Sequence, residues 1–142
     1  MKDNTVSILL VEDDDVDAMS VKRAFRKVNI ANPLYHAEDG LQALHMLRGV
    51  EGHTKISPTP KIILLDINMP RMNGIEFLRE LRNDPELHAI SVVVLTTSNE
   101  ERDKIAAYNL NVAGYILKPV DPESFITAVS TLNLYWSLIE MP

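Results

Sequence analysis

The 142-residue sequence contains no cysteine, which excludes a disulfide framework and any thiolate metal site. It lacks an excess of basic charge. Fourteen Lys and Arg against 20 Asp and Glu leave a net charge of −6, which disfavours broad contact with nucleic acid, because neutralising phosphates requires a basic surface. Long apolar runs are missing as well: stretches such as 62–65 and 92–95 fall far short of the ~20 residues that cross a bilayer. The opening Met1-Lys2-Asp3-Asn4 leads straight into a strand-like run with no signal-peptide pattern, so a cytoplasmic protein without membrane contact is expected. What is present, 46 % hydrophobic and 24 % charged residues, is the composition of a folded domain. The length suits a single domain over 1–142.

Short apolar runs alternate with helical patterns. The runs 6–11, 34–37, 62–65, 92–95 and 114–117 are mostly Val, Ile and Leu with little polar alternation, the mark of strands buried on both faces of a parallel sheet. Val21, Ala24, Phe25 and Val28 share one helical face, as do Leu41, Leu44 and Leu47, and Ile75, Leu78 and Leu81. Asp39 and Asp121 are placed as N-caps, the latter with Pro122 in the first turn. Asn83-Asp84-Pro85 ends the third helix, because the residue before Pro resists the helical region. The fourth helix, 99–109, is polar and predicted to be the least firmly docked. The sum is βα repeated five times, a doubly wound α/β fold. Residues 49–60 interrupt the rhythm and are predicted to be a tolerated surface insertion rather than a partner contact.

In open parallel sheets ligands bind beyond the carboxyl ends of the strands. There the sequence places Glu12 and Asp13, then Asp66, then Thr96 and Thr97, then Lys118-Pro119. With the strand order usual for a small sheet of this type, three carboxylates, a hydroxyl and an ammonium converge. Clustered carboxylates need a cation, and oxygen ligands of this kind suit Mg²⁺. Asp66 can attack a phosphoryl group and form an acyl phosphate. The equatorial oxygens of that group need positive or donor partners, which Mg²⁺, Thr96 and Lys118 can supply.

Four blocks resemble the response-regulator receiver domains of two-component signalling: Ile8-Leu9-Leu10-Val11-Glu12-Asp13-Asp14; Leu64-Leu65-Asp66-Ile67-Asn68-Met69-Pro70 with Gly74; Val94-Leu95-Thr96-Thr97; and Gly114-Tyr115-Ile116-Leu117-Lys118-Pro119. The resemblance runs from Ile8 to about Leu132 and implies a flavodoxin-like sheet of order 2-1-3-4-5. It implies Asp66 as phosphoacceptor for a histidine kinase, Asp13 as a direct Mg²⁺ ligand, Glu12 acting through water, and the Asn68 backbone carbonyl as a further ligand. Mn²⁺ could substitute for Mg²⁺. Thr96 and Lys118 would contact the phosphoryl oxygens, Tyr115 would be the aromatic switch residue, and the Lys118–Pro119 peptide would be cis. Softer likenesses, in 49–60, in Asn83-Asp84-Pro85-Glu86-Leu87 and in Leu134-Tyr135-Trp136, point to small stand-alone regulators paired with phytochromes.

Thr97 is bulkier than the Ala or Ser often found beside the switch hydroxyl, and is expected to narrow access to Asp66 and slow loss of the phosphoryl group. Asp14, Asp15 and Asp17 read as acids favoured by a helix N-terminus. His36, His45, His53 and His88 lack paired metal spacing and read as surface or packing residues. Arg79, Arg82 and Lys104 read as solvated faces. In the last helix Phe125, Val129, Leu132 and Trp136 form a core stripe, while Leu134, Tyr135, Leu138 and Ile139 add apolar surface on other sides. A homodimer through this region is the expectation. The sequence stops at Pro142 with no room for a DNA-binding domain, so the expected output is contact with another protein. The leading reading is a phosphoacceptor switch rather than an enzyme. Two others stay open: a degenerate receiver acting as an interaction module, which the complete residue set argues against, and a small phosphohydrolase, which Asn68 in place of a second carboxylate argues against.

Overall fold

In the computed structural model, residues 7–27, 32–69, 72–118, 120–124 and 127 are described. The elements follow the expected alternation: β1 (Ile8–Val11), α1 (Asp15–Lys27), β2 (Leu34–Ala37), α2 (Gly40–Arg48), β3 (Ile62–Asp66), α3 (Gly74–Arg82), β4 (Ser91–Thr96), α4 (Asn99–Ala106) and β5 (Gly114–Leu117). The sheet is five-stranded and wholly parallel, in the order β2-β1-β3-β4-β5. This is the expected flavodoxin-like, doubly wound order. No described helix is long and apolar enough to cross a membrane.

Successive strand residues point to opposite faces, so the unbroken apolar runs feed two cores. Leu9, Val11, Ile63, Leu65, Val92 and Val94 pack with Leu44 and Leu47 of α2 and Phe77, Leu78 and Leu81 of α3. Ile8, Leu10, Ile62, Leu64, Val93 and Leu95 pack with Ala18, Val21, Ala24 and Phe25 of α1. Helices therefore cover both faces, and the strand ends are left as the open rim.

Helix starts are locally encoded. Asp39 caps α2, accepting from the Gln42 N–H at 2.8 Å, and Asp121 accepts from the Ser124 N–H at 2.9 Å. A reciprocal capping box of Asn73 and Glu76 opens α3, which the sequence reading missed. Gly74, the first residue of α3, has no room for a side chain: a Cβ there would meet Ile67 Cα at 2.7 Å. The α3 N-terminus can thus lie directly against the segment that follows Asp66.

Two expectations need correction. Residues 49–60 are more than a surface insertion, because Ile56 is buried in the α2–α3 core and its N–H donates to Met46 O at 3.1 Å. Arg82 is not a solvated side chain. Its guanidinium donates to four backbone carbonyls, Leu110 and Asn111 at 2.9 Å and His88 and Ile90 at 2.8 Å. It pins the segments before β4 and β5 to the end of α3. Val28, the apolar set at Phe125, Val129, Leu132, Leu134, Tyr135, Trp136, Leu138 and Ile139, and the Lys118–Pro119 peptide lie outside the described residues.

Candidate functional site

Parallel register brings the strand ends level. Val11 pairs with Leu65, Asp66 with Leu95, and Thr96 with Leu117, so the residues at and just past these positions crowd one rim. Glu12 and Asp13 follow β1, Asp66 and Thr96 end β3 and β4, and Lys118 follows β5. Lys118 is fixed at its backbone, where its N–H donates to Thr96 O at 2.7 Å. Glu12 is fixed likewise: its N–H donates to Ala37 O at 3.0 Å, and its carbonyl lies 2.8 Å from His36 Nε2. His36 therefore packs against the site, which its sequence position alone did not show.

The ammonium of Lys118 stands among three carboxylates from three elements: Asp17 Oδ2 at 2.9 Å, Glu12 Oε1 at 3.1 Å and Asp66 Oδ1 at 3.1 Å. The contacts to Asp17 and Asp66 are hydrogen bonds. Glu12 Oε1 is an ion-pair neighbour outside hydrogen-bond geometry and has no donor. Asp17 was read as a charge for the helix N-terminus only; the structure gives it a partner 101 residues away. A signal was there. Asp17 lies four residues before Val21, in line with the apolar stripe, so its carboxylate faces the sheet rim instead of solvent.

Burial governs the electrostatics. Glu12 has no exposed surface and Asp66 is 5 % exposed. Burial, then the charge of Asp66, pushes the Glu12 carboxyl up to about 7, with Lys118 pulling the other way. Burial likewise raises Asp66, against the attraction of Lys118 and the Asn68 N–H. Burial alone would lower the Lys118 ammonium, but Asp17, Asp66 and Glu12 outweigh it and hold the group charged.

Glu12, Asp13 and Asp66 each offer a carboxylate oxygen, all within 4.8 Å of one another. Hard oxygen donors, a net negative balance beside a single ammonium, and an undonated buried oxygen on Glu12 fit a small divalent cation. No described histidine belongs to this group. At the end of β4 the Thr96 hydroxyl is fully buried and has no hydrogen-bond partner. An orphaned donor of this kind carries a desolvation cost that an incoming oxygen would relieve.

The remaining sequence-predicted residues sit around the rim. The Asn68 side chain turns outward and donates to Glu101 Oε2 at 2.5 Å. Glu101 Oε1 also accepts from the exposed Thr97 N–H at 3.1 Å, so this carboxylate ties the loop after β3 to the loop after β4. Tyr115 does not enter the acidic cluster. It is half-buried on β5 with the Arg102 guanidinium 5.3 Å above its ring, and it shares a groove of about 450 Å³ with Thr96, Asn99 and Leu117.

Comparison with known proteins agrees with this geometry. Residues 8–130 match the response regulator receiver domain. The response regulator Rcp1 of Synechocystis sp. is 39 % identical over 129 residues, covering 91 % of this chain and 87 % of that protein. The bacteriophytochrome response regulator RtBRR superposes with a TM-score of 0.89 at 35 % identity, over 97 % of this chain and 84 % of the other. The Mn²⁺-bound form of Rcp1 superposes with a TM-score of 0.70 at 35 % identity, over 96 % of this chain and 99 % of the other. A parallel sheet in 2-1-3-4-5 order, an acidic cluster at its rim and a lysine over the central aspartate thus sit on a chain that belongs to the response-regulator receiver domain family.

Proposed function

We propose that this chain is a phosphoacceptor switch in which a histidine kinase transfers a phosphoryl group to Asp66. The observation that carries the reading is the placement of Asp66: a buried carboxylate bonded to the Lys118 ammonium at 3.1 Å and grouped with carboxylate oxygens of Glu12 and Asp13 within 4.8 Å, with the unpartnered Thr96 hydroxyl at the end of the neighbouring strand. A carboxylate oxygen of Asp66 forms the new P–O bond while the P–N bond of a phosphohistidine breaks, and the departing imidazole takes a proton from solvent. Lys118 donates to the phosphoryl oxygens, and the Thr96 hydroxyl gains the acceptor it lacks. Mg²⁺, or Mn²⁺ in its place, would be held by Asp13, Asp66, the Asn68 backbone carbonyl and, through water, Glu12, and supplies positive charge to the same oxygens. The Mn²⁺-bound form of Rcp1 supports that metal. The protein acts stoichiometrically and not as a turnover enzyme, passing its state on by contact with another protein through α4 and Tyr115. Likeness to RtBRR supports a phytochrome as the kinase. The apolar residues around Trp136 support a homodimer through the C-terminal region, which sedimentation at high concentration tests.

The test is transfer of labelled phosphate from phytochrome-type histidine kinases, with and without Mg²⁺, to wild type and Asp66→Asn. Wild type should accept about one phosphoryl group per chain, only with the metal, and the variant none. Equal labelling of the folded variant overturns the assignment, and multiple turnover on small phosphate esters points to a phosphohydrolase instead.

A further inference from the structure

Lys118 reaches Asp66 on a side chain of four methylenes, yet only its backbone end is fixed by the sheet, through the 2.7 Å bond to Thr96 O. The other end is fixed by Asp17. Its contact of 2.9 Å is the shortest of the three the ammonium makes, and it holds together with the 3.1 Å bond to Asp66. Asp17 is itself rigidly presented. It lies in the first turn of α1, its N–H donates to Asp14 Oδ1 at 3.0 Å, and the helix is anchored below it by Val21 and Ala24 in the core. It is not one of the Glu12, Asp13 and Asp66 group that a cation would occupy, though it shares Lys118 with two of them.

We propose that Asp17 is a positioning residue for phosphoryl transfer, a tether that keeps the Lys118 ammonium over Asp66 as the reaction proceeds. The proposal rests on the reading of Asp66 as the phosphoacceptor. When either Asp66 oxygen forms its bond to phosphorus, the carboxylate loses its charge and holds the ammonium less strongly. The N–H of Lys118 that it held is then drawn toward the negatively charged phosphoryl oxygens. The bond to Asp17 is unaffected by this change, and because both contacts coexist, the ammonium need not leave Asp17 to follow the phosphoryl group. Without the tether the flexible side chain can swing toward solvent at the moment when its charge is needed.

The experiment compares wild type, Asp17→Asn and Asp17→Glu. Phosphorylation by acetyl phosphate at saturating Mg²⁺ is followed, where the Asp66 oxygen bonds to phosphorus and acetate leaves. Mg²⁺ affinity is measured separately by calorimetry. Asp17→Asn should slow phosphorylation about five- to tenfold, the scale of one ordinary hydrogen bond, with little change in Mg²⁺ affinity. Asp17→Glu should restore most of the rate. In the metal-free protein, urea unfolding of Asp17→Asn, Lys118→Met and the double variant should show coupling between the two sites. A rate equal to or above wild type for Asp17→Asn, a loss matched by weaker Mg²⁺ binding, or additive stability effects would each overturn the tether. Failure of wild type to accept the phosphoryl group, or acceptance by Asp66→Asn, would instead overturn the assignment of Asp66.

Discussion

Helices α3 and α4 each follow a strand that ends on a site residue, Asp66 for β3 and Thr96 for β4, yet they are built differently. Helix α3 buries Gly74, Phe77, Leu78 and Leu81, opens with a capping box and is locked at its end by Arg82. Helix α4 buries Ile105 alone, opens with a single Ser98 cap, and is otherwise polar. The helix behind Asp66 is thus welded to the core, while the helix beside the Thr96 hydroxyl buries one apolar residue and is otherwise tied by the Glu101 bonds to Asn68 and Thr97 and by Arg102 over Tyr115. A switch needs two states close in free energy, and the element with the fewest buried contacts is the one that can supply them.

The largest expected effect tests this contrast directly. Phe77→Ala removes a fully buried ring and should cost about 3–5 kcal/mol, whereas Ile105→Ala should cost about 2 kcal/mol, at the low end for buried aliphatic truncations. Urea unfolding measures both; equal costs would break the comparison. Amide hydrogen exchange sharpens it, since α4 should exchange through local opening well before α3. Next comes Arg82→Met, which keeps the length of the side chain but leaves four carbonyls without their shared donor. It should cost about 2–3 kcal/mol, with Arg82→Lys recovering only part, because an ammonium cannot reproduce the planar fork. A neutral Arg82→Met would return that residue to the solvated face on which the sequence reading placed it.

That error shows where the sequence stopped being legible. The strands were readable because a two-sided buried strand leaves no room for polar alternation, and Ile62 to Leu65 show none. The site was readable because each residue sits at or just beyond a strand end, where position in the chain fixes position in space. Asp39 and Asp121 were readable as caps because capping is local. The roles of Arg82 and Asp17 were not, since Leu110 and Asn111 lie 28 and 29 residues from Arg82 and Lys118 lies 101 from Asp17; the stripe gave the face on which Asp17 sits but not its partner. Ile56 was missed for the reverse reason: a lone apolar residue among Gly, Ser and Pro carries no pattern, though its side chain completes the core above α2.

A smaller effect separates the acidic rim from α4. Burial holds the Glu12 carboxyl at about 7 against an ordinary 4.5, so the folded protein takes up a proton there more readily than the unfolded chain. Glu12 therefore contributes its full stability below about pH 4.5 and loses it as pH rises through about 7. A divalent cation binds the ionised form, so its affinity should rise across the same window. The gain in melting temperature from Mg²⁺ should be larger at about pH 8 than at about pH 6, and Glu12→Gln should flatten that difference. An equal gain at both values in wild type would mean that Glu12 is ionised throughout. Exchange in α4 should not follow this titration, because its cap and its one core residue are separate from Glu12.

The smallest effect lies at Tyr115, where the two regions meet. Its ring is half-buried on β5, beneath an exposed Arg102 from the loosely held α4 at 5.3 Å. Burial raises the Tyr115 hydroxyl, and Arg102 draws it back. A partly exposed cation–π pair contributes about 0.5–1 kcal/mol, so Arg102→Ala should shift the balance of ring positions about two- to fivefold. Fluorotyrosine at position 115 would report that balance by ¹⁹F NMR before and after phosphorylation. If Arg102 restrains the ring, the unphosphorylated variant should move part of the way toward the phosphorylated spectrum while the phosphorylated spectra coincide. If instead both spectra are unchanged, Arg102 merely covers the ring, and the mobility assigned to α4 does not reach Tyr115 through this contact.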